Sequence, residues 1–219
     1  MSEPAEPHPM RARFIAFEGG EGVGKSTQAK MLVAALAERG IDALLTREPG
    51  GTTGAEMIRE LLLKPPGTGW QVQAEAMLFA AARSDHVAKA IKPALMAGRW
   101  VVCDRFVLSS RAYQGLAGGL GDEEVKTLHK IGSGGLLPCR TFLLEAPGDE
   151  VTERLRRRDG DQADAIGGRN AKYHADVARG FAGLAQDDDT ILQIDASASV
   201  DEVHAAVMRG IEPLLAPVS

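Results

Sequence analysis

Five short apolar runs punctuate the chain, and helical spacing fills the intervals between them. Arg13–Glu18 (RFIAFE) ends in a glycine cluster. Lys25–Arg39 then puts Met31, Leu32, Ala35 and Leu36 on one side of a predicted helix, which Gly40 is placed to stop. Ile41–Thr46 is predicted as a second strand, Glu48–Thr52 as a loop, and Ala55–Leu63 as a short helix. Gln71–Ala97, rich in Ala, Leu and Met, reads as one long helix or two abutting ones, with Pro93 near the joint. A buried-type strand is predicted at Trp100–Asp104. Helical segments follow around Ser109–Leu116 and Asp122–Ile131, the second capped by Asp122. Thr141–Ala146 and Ile191–Asp195 complete the strands. Helices are predicted at Asp149–Arg158, Ala171–Leu184 and Val200–Leu215. Alternation of this kind implies βαβ units, hence an α/β three-layer sandwich with a five-stranded parallel sheet covered on both faces.

No linker or internal repeat divides the chain. Residues 11–219 are therefore expected to form a single domain, with 1–10 a Pro-rich disordered tail and Asp159–Asn170 a mobile insertion. The chain has 219 residues, of which 44% are hydrophobic and 25% charged, and this excludes a wholly disordered protein. No apolar run approaches the roughly 18 residues of a membrane span. The opening MSEPAEPHPM lacks the apolar region of a secretion signal. Cys103 and Cys139 are too few for a disulfide scaffold, so a cytoplasmic location is expected. A net charge of −5 argues against a footprint for duplex nucleic acid.

The strongest chemical signal is Gly19-Gly20-Glu21-Gly22-Val23-Gly24-Lys25-Ser26, which fits G-x-x-x-x-G-K-[ST] between a strand and a helix. Glycines let backbone N–H groups curl around phosphate oxygens, and the helix N-terminus adds donors and a positive dipole end. Lys25 can reach the β/γ-phosphates of a nucleoside triphosphate, and the Ser26 hydroxyl can ligate Mg²⁺. A guanine-reading N-K-x-D is impossible, because Asn170 is the only asparagine and Ala171 follows it. The L-S-G-G-Q signature of transport ATPases is also missing. A small-molecule kinase fits this set best.

Four blocks resemble the bacterial thymidylate kinase family over nearly the whole chain past the tail. They are FEGGEGVGKST (Phe17–Thr27), TREPGGT (Thr46–Thr52), MLFAAARSDHV (Met77–Val87) and DRFVLSSRAYQG (Asp104–Gly115). The resemblance implies γ-phosphoryl transfer from ATP to dTMP with Mg²⁺, a P-loop nucleoside-monophosphate-kinase fold with a lid at about 156–170, and a homodimer. The donor nucleotide would lie on Gly19–Ser26 with Thr27.

By the same resemblance Arg105 holds the acceptor phosphate, Asp104 lies near the metal and phosphates, and Glu18 near the acceptor sugar and metal. Independently, Asp104-Arg105 falls at the carboxyl end of a strand, where open α/β sheets bind ligands, and an arginine can fork onto a phosphate. A buried strand with a capping Asp is the plainer reading. Phe79 and Arg83, four apart, share a helix face. The family's matching Phe stacks on thymine and its Arg meets the exocyclic oxygen, although Phe79 also reads as ordinary core. Tyr113 matches the tyrosine that crowds the sugar 2′ position. Ser109 and Gln114 are placed at the acceptor by the same block, and helix capping is the plainer role for Ser109 and Ser110. Arg47 and Pro49 are brought to the acceptor by the Glu-Pro turn, often drawn with a cis peptide in the family. Taken alone, an X-Pro bond favours trans.

The basic run Arg154-Leu155-Arg156-Arg157-Arg158 reads either as favourable charge at a helix C-terminus or as a phosphate clamp. The family lid commonly carries Asp-Arg-hydrophobic-Glu, whereas Asp164-Ala165-Ile166-Gly167 stand here. The lid arginine therefore passes to Arg157 or Arg158, or to Arg169. Cys139-Arg140 and Glu145 also depart from the family pattern, away from the chemistry. The two cysteines read as inert apolar residues, and His86 and His129 lack metal-ligand spacing. Two rivals remain open: a kinase for another nucleoside monophosphate, and a catalytically silent nucleotide-binding protein. Arg157→Ala or Arg158→Ala is expected to lower kcat far more than dTMP affinity, since a supplied arginine contributes about 10³–10⁵ in rate. Steady-state kinetics check this; unchanged turnover in both, with collapse in Arg169→Ala, would move the role to Arg169.

Overall fold

A computed structural model describes residues 13–148, 150–151, 153–154, 165, 167–186 and 188–215. Its strands are β1 (Phe14–Glu18), β2 (Ala43–Arg47), β3 (Trp100–Asp104), β4 (Arg140–Glu145) and β5 (Ile191–Asp195). They form one sheet in the order β2-β3-β1-β4-β5, parallel throughout. Four of the five predicted runs match an observed strand to within a residue at each end. The second lies further along than its hydrophobicity suggested, at Ala43–Arg47, because it pairs Ala43 with Trp100 through Arg47 with Asp104.

Side chains alternate across the sheet as strand geometry requires. Ile15, Phe17, Val102, Phe142 and Leu144 point to one face, which α1 (Lys25–Glu38) and α8 (Val200–Leu215) cover with Leu32, Leu36, Val203, Val207 and Ile211. Phe14, Ala16, Val101 and Cys103 point to the other, where Val87, Ile91, Ala94 and Leu95 pack. Those four belong to a helical run comprising α3 (Val72–His86), a π-helical turn (Val87–Ile91) and α4 (Lys92–Met96). The run is one continuous path, and the wide turn lies immediately before Pro93, whose ring and missing N–H disrupt an ordinary α-helical turn. Further along this face α5 (Val107–Ser110) enters a second π-helical segment (Arg111–Ala117), against which α7 (Ala171–Gln186) packs through Val177 and Phe181.

Two further helices with described bounds are α2 (Thr53–Leu63) and α6 (Asp122–Ser133). Thr52 caps α2 by accepting from the Ala55 amide. Asp122 does not cap α6. Gly121 takes the cap position, and Asp122 stands in the first turn, gripped by Arg111 at 2.7 and 2.9 Å. Sequence spacing cannot see Arg111 approaching from another element. The helix expected at Asp149–Arg158 and the insertion at Asp159–Asn170 lie largely outside the described residues. No helix among the described residues is long and apolar enough to cross a membrane.

Loops that follow β1, β2 and β3 meet at the carboxyl end of the sheet, at the point where the strand order reverses. Backbone bonds beyond the strand ends hold them together: Arg105 N donates to Phe17 O at 2.8 Å, and Glu48 N to Asp104 O at 2.9 Å.

The packing of α8 leaves a specific test. A Cβ at Gly210 would sit 2.6 Å from the Phe142 ring and 2.8 Å from Leu192. Overpacking costs about 1–3 kcal/mol, more than the roughly 1 kcal/mol that alanine gains over glycine in a helix. Gly210→Ala is expected to destabilise the fold by about 1–2 kcal/mol in urea unfolding.

Candidate active site

The glycine-rich loop after β1 supplies the first wall. Gly19, Gly22 and Gly24 adopt φ values of 128°, 72° and 94°, open to glycine and strained for other residues. At Gly19 space is also decisive, because a Cβ would lie 2.2 Å from the Leu144 carbonyl oxygen. Lys25 and Ser26 open α1. The Lys25 ammonium is buried and donates to Gly20 O, and Ser26 Oγ meets Asp104 Oδ2 across the gap from β1 to β3. Burial, reinforced by the Arg105 charge, pulls the Lys25 pKa down to about 7.

Arg105 joins this loop to a second cavity. Its backbone sits at φ 68°, a left-handed conformation uncommon outside glycine. Its guanidinium donates to Gly19 O at 2.9 Å and to Ser109 Oγ at 3.1 Å, and lies 5.4 Å from the centre of the Tyr113 ring. Glu18, fully buried, braces the same corner. It accepts from Phe106 N at 2.8 Å, Ser109 N at 3.2 Å and Ser109 Oγ at 2.5 Å. Burial pushes its pKa up to about 7 against the pull of those bonds and of Arg105.

The second cavity is lined by Glu21, Glu48, Pro49, Arg59, Leu63, Phe79, Arg83, Arg105, Phe106, Ser109, Ser110, Tyr113 and Gln114. Phe79 and Arg83 both face it, as their spacing on α3 predicted. Arg83 is held from three sides: Nε donates to Glu48 Oε2 at 2.7 Å, and its terminal nitrogen to Ser110 Oγ at 2.9 Å and Phe106 O at 3.3 Å. Glu48 also meets His86 Nδ1 at 3.1 Å, and His86 Nε2 meets Thr46 Oγ1 at 2.7 Å. His86 is thus a buried brace. The Glu48-Pro49 peptide is cis, as the family turn is drawn and against the preference of an isolated X-Pro bond. The Tyr113 hydroxyl is buried without a hydrogen-bond partner among the described residues, and burial raises its pKa.

Most of the predicted residues converge here, and a few do not. Arg47 does not line this cavity: it pairs with Glu56 at 2.9 Å, donates to Pro49 O at 3.3 Å and lines a separate hollow with Ser26, Lys30 and Asp104. Arg59 lines the second cavity and donates to the same Pro49 O at 2.9 Å. Glu18, Ser26 and Asp104 do not form one cluster. Ser26 and Asp104 touch, while both Glu18 oxygens serve Phe106 and Ser109. Among the described residues no group of three or more His, Cys, Asp or Glu side chains gathers as a metal site. Thr27 is exposed on α1, and Arg157 and Arg158 lie outside the described residues. Burial raises the thiol pKa of Cys103 and Cys139, in keeping with inert roles.

Sequence reading missed Arg59, Ser110, Glu75 and the bracing roles of Glu48 and His86. Arg59 carried a faint signal, being a cation on a short helix beside a turn already assigned to the acceptor. Glu75 carried none, since it meets Gln114 at 2.8 Å only across 39 residues of chain.

A loop built to hold a polyphosphate, facing a cavity with a guanidinium at its neck and an aromatic-arginine pair beyond, is the geometry of a phosphotransferase with a nucleotide acceptor. Comparison with known proteins agrees. The family model described as thymidylate kinase matches residues 17–207. The chain is 53% identical over 207 residues to the thymidylate kinase of Rhizorhabdus wittichii, covering 94% of this chain and all of that one. It is 46% identical over 204 residues to that of Symbiobacterium thermophilum, covering 92% and 94%. The crystal structure of thymidylate kinase from Ehrlichia chaffeensis superposes with a TM-score of 0.74 at 30% identity, covering 91% of this chain and 98% of that one. With matches of this extent laid over that geometry, the chain belongs to the thymidylate kinase family.

Proposed function

We propose that the protein transfers the γ-phosphoryl group of ATP to dTMP, giving dTDP and ADP, with the triphosphate on Gly19–Ser26 and the monophosphate at Arg105. The observation that carries this is Arg105 itself: one guanidinium bonded to the glycine loop and to the acceptor wall at once. An acceptor phosphate placed there has its oxygen facing the terminal phosphate on the loop. That oxygen attacks the γ-phosphorus as the bond to the β,γ-bridging oxygen breaks. It is already anionic, so no general base is needed, and the work left to the protein is positioning and charge stabilisation.

Lys25 and Arg105 supply charge from the two sides of the reacting group. Ser26 and Asp104 offer hard oxygen donors that fit Mg²⁺, which would screen the phosphate charges when bound. Phe79 presents an apolar ring to a base, Arg83 donates to a carbonyl oxygen of its edge, and Tyr113 narrows the sugar pocket. Arg157 and Arg158 remain our assignment for the lid cation. The homodimer we expect is supported by apolar side chains exposed on the α3–α4 run, Met77 at 55% and Met96 at 77%.

Two measurements test this reading. In a coupled assay across nucleoside monophosphates, dTMP is the expected preferred acceptor, and Lys25→Ala is expected to abolish turnover; a stronger preference for AMP or CMP would defeat the substrate assignment. The second concerns protons. With its pKa near 7, Lys25 in the free protein is largely neutral at about pH 8, and a bound triphosphate favours the charged form. ATP binding is therefore expected to take up close to one proton at about pH 8 and much less at about pH 6. Calorimetry in buffers of different ionisation enthalpy reads this directly, and Lys25→Arg is expected to abolish the uptake.

A further inference from the structure

We propose that Arg169 is a positioning residue for the acceptor base, acting through Glu75 on Gln114. This rests on the acceptor cavity being the dTMP site. Arg169 lies just ahead of α7, in the stretch where the chain departs from its family's lid pattern. Its guanidinium pairs with Glu75 Oε2, bonds the Tyr173 hydroxyl, and lies 4.5 Å from the centre of the Tyr173 ring. Tyr173 in turn donates to Tyr113 O at 2.9 Å. The other oxygen of Glu75, Oε1, accepts from Gln114 Nε2 at 2.8 Å. Glu75 and Gln114 are both buried, and Gln114 lines the acceptor cavity.

The chemistry of this chain of contacts is directional. A carboxylate only accepts, so Gln114 must turn its NH₂ toward Glu75, leaving its carbonyl oxygen on the opposite edge of the amide. Arg83, on the same cavity, only donates. A donor beside an acceptor matches the imide edge of thymine, which offers a carbonyl oxygen next to an N–H. Cytosine offers the reverse pair and is mismatched. Glu75 can hold this orientation only while its own charge is compensated, and neutral Gln114 cannot do that in a buried site. Arg169 supplies the compensation. Its guanidinium is committed to Glu75 and Tyr173, so it steers the base rather than following the transferred phosphoryl group.

The test uses the full chain with Arg169→Met, Arg169→Lys, Glu75→Gln and the Arg169→Met/Glu75→Gln double variant. Calorimetry measures dTMP and ATP affinity, and steady-state kinetics use dTMP and dCMP. For Arg169→Met the dTMP Kd and KM are expected to rise about tenfold or more, the scale of a hydrogen bond to a charged group. ATP affinity is expected to stay within about twofold, kcat at saturating dTMP within about threefold, and discrimination against dCMP is expected to fall. Arg169→Lys is expected to recover part of the loss, and the double variant to lose less than the sum of its singles. A collapse of kcat with dTMP affinity intact would make Arg169 catalytic and overturn the proposal. So would unchanged constants, or equal losses for both nucleotides with a lowered melting temperature. Wild-type protein that binds both nucleotides but forms no dTDP would instead defeat the assigned function.

Discussion

The site depends on one side chain being made to face two ways. Arg105 follows β3 in a left-handed backbone conformation, which costs a non-glycine residue roughly 1 kcal/mol or more. The strain is overcome by three fixed partners: Phe17 O takes its amide, while Gly19 O and Ser109 Oγ take its guanidinium. An ordinary β conformation would continue the strand past the loop. The left-handed turn brings the guanidinium back over β1, against the glycine-rich loop at Gly19. Glu18 locks the same corner from below by capping the backbone at Phe106 and Ser109. The spacing between the glycine-rich loop and the second cavity is thus set by a short stretch of β1 and β3, neighbouring inner strands of the sheet.

A second set of charges fixes the far end of the acceptor cavity. Glu48 and Arg83 are each only 3% exposed, and a buried ion pair is tolerable only when its remaining valences are satisfied. Here they are. His86, bonded to Thr46, meets the second Glu48 oxygen, and Ser110 and Phe106 O take the outer nitrogen of Arg83. Arg83 is thereby fixed at the cavity wall, so a ligand bound there would meet a preorganised donor. Gly51 belongs to the same device, since a Cβ there would lie 2.5 Å from His86 Nε2.

What was legible in the sequence follows from the range of each interaction. Strands and helices were readable because apolar spacing is local, and the glycine loop because its geometry needs particular residues in a row. Phe79 and Arg83 were readable as a pair because four residues on a helix define a face. The errors share a different origin. Asp122 was taken for a cap because nothing local reveals Arg111 arriving from the preceding π-helical segment. Arg47 was drawn to the acceptor by its neighbours in the turn, while Glu56, nine residues on, claims it in the fold. Glu75 matters through partners that only the fold brings near, Gln114 and Arg169, so no pattern along the chain could single it out.

Electrostatic tension links these parts. Lys25 and Arg105 converge on the same corner, and their repulsion, added to burial, is what brings Lys25 down to about 7. Two cations held close by backbone carbonyls cannot relax apart, because Gly20 O and Gly19 O belong to the loop itself. An incoming phosphate relieves that repulsion, and a reacting pair of phosphates, with charge spread over the transferred group, relieves it from both sides. Preorganised charge of this kind favours the transition state over either bound nucleotide alone, since only in transfer does negative charge lie between both cations at once. Under the function we propose, recognition of the base lies at the far end of the cavity, with Arg83 and Gln114 and the charges behind them. On that reading the fold separates the cations that would stabilise transfer from those that would select the acceptor, with Tyr113, whose ring lies beside Arg105, at the boundary between them.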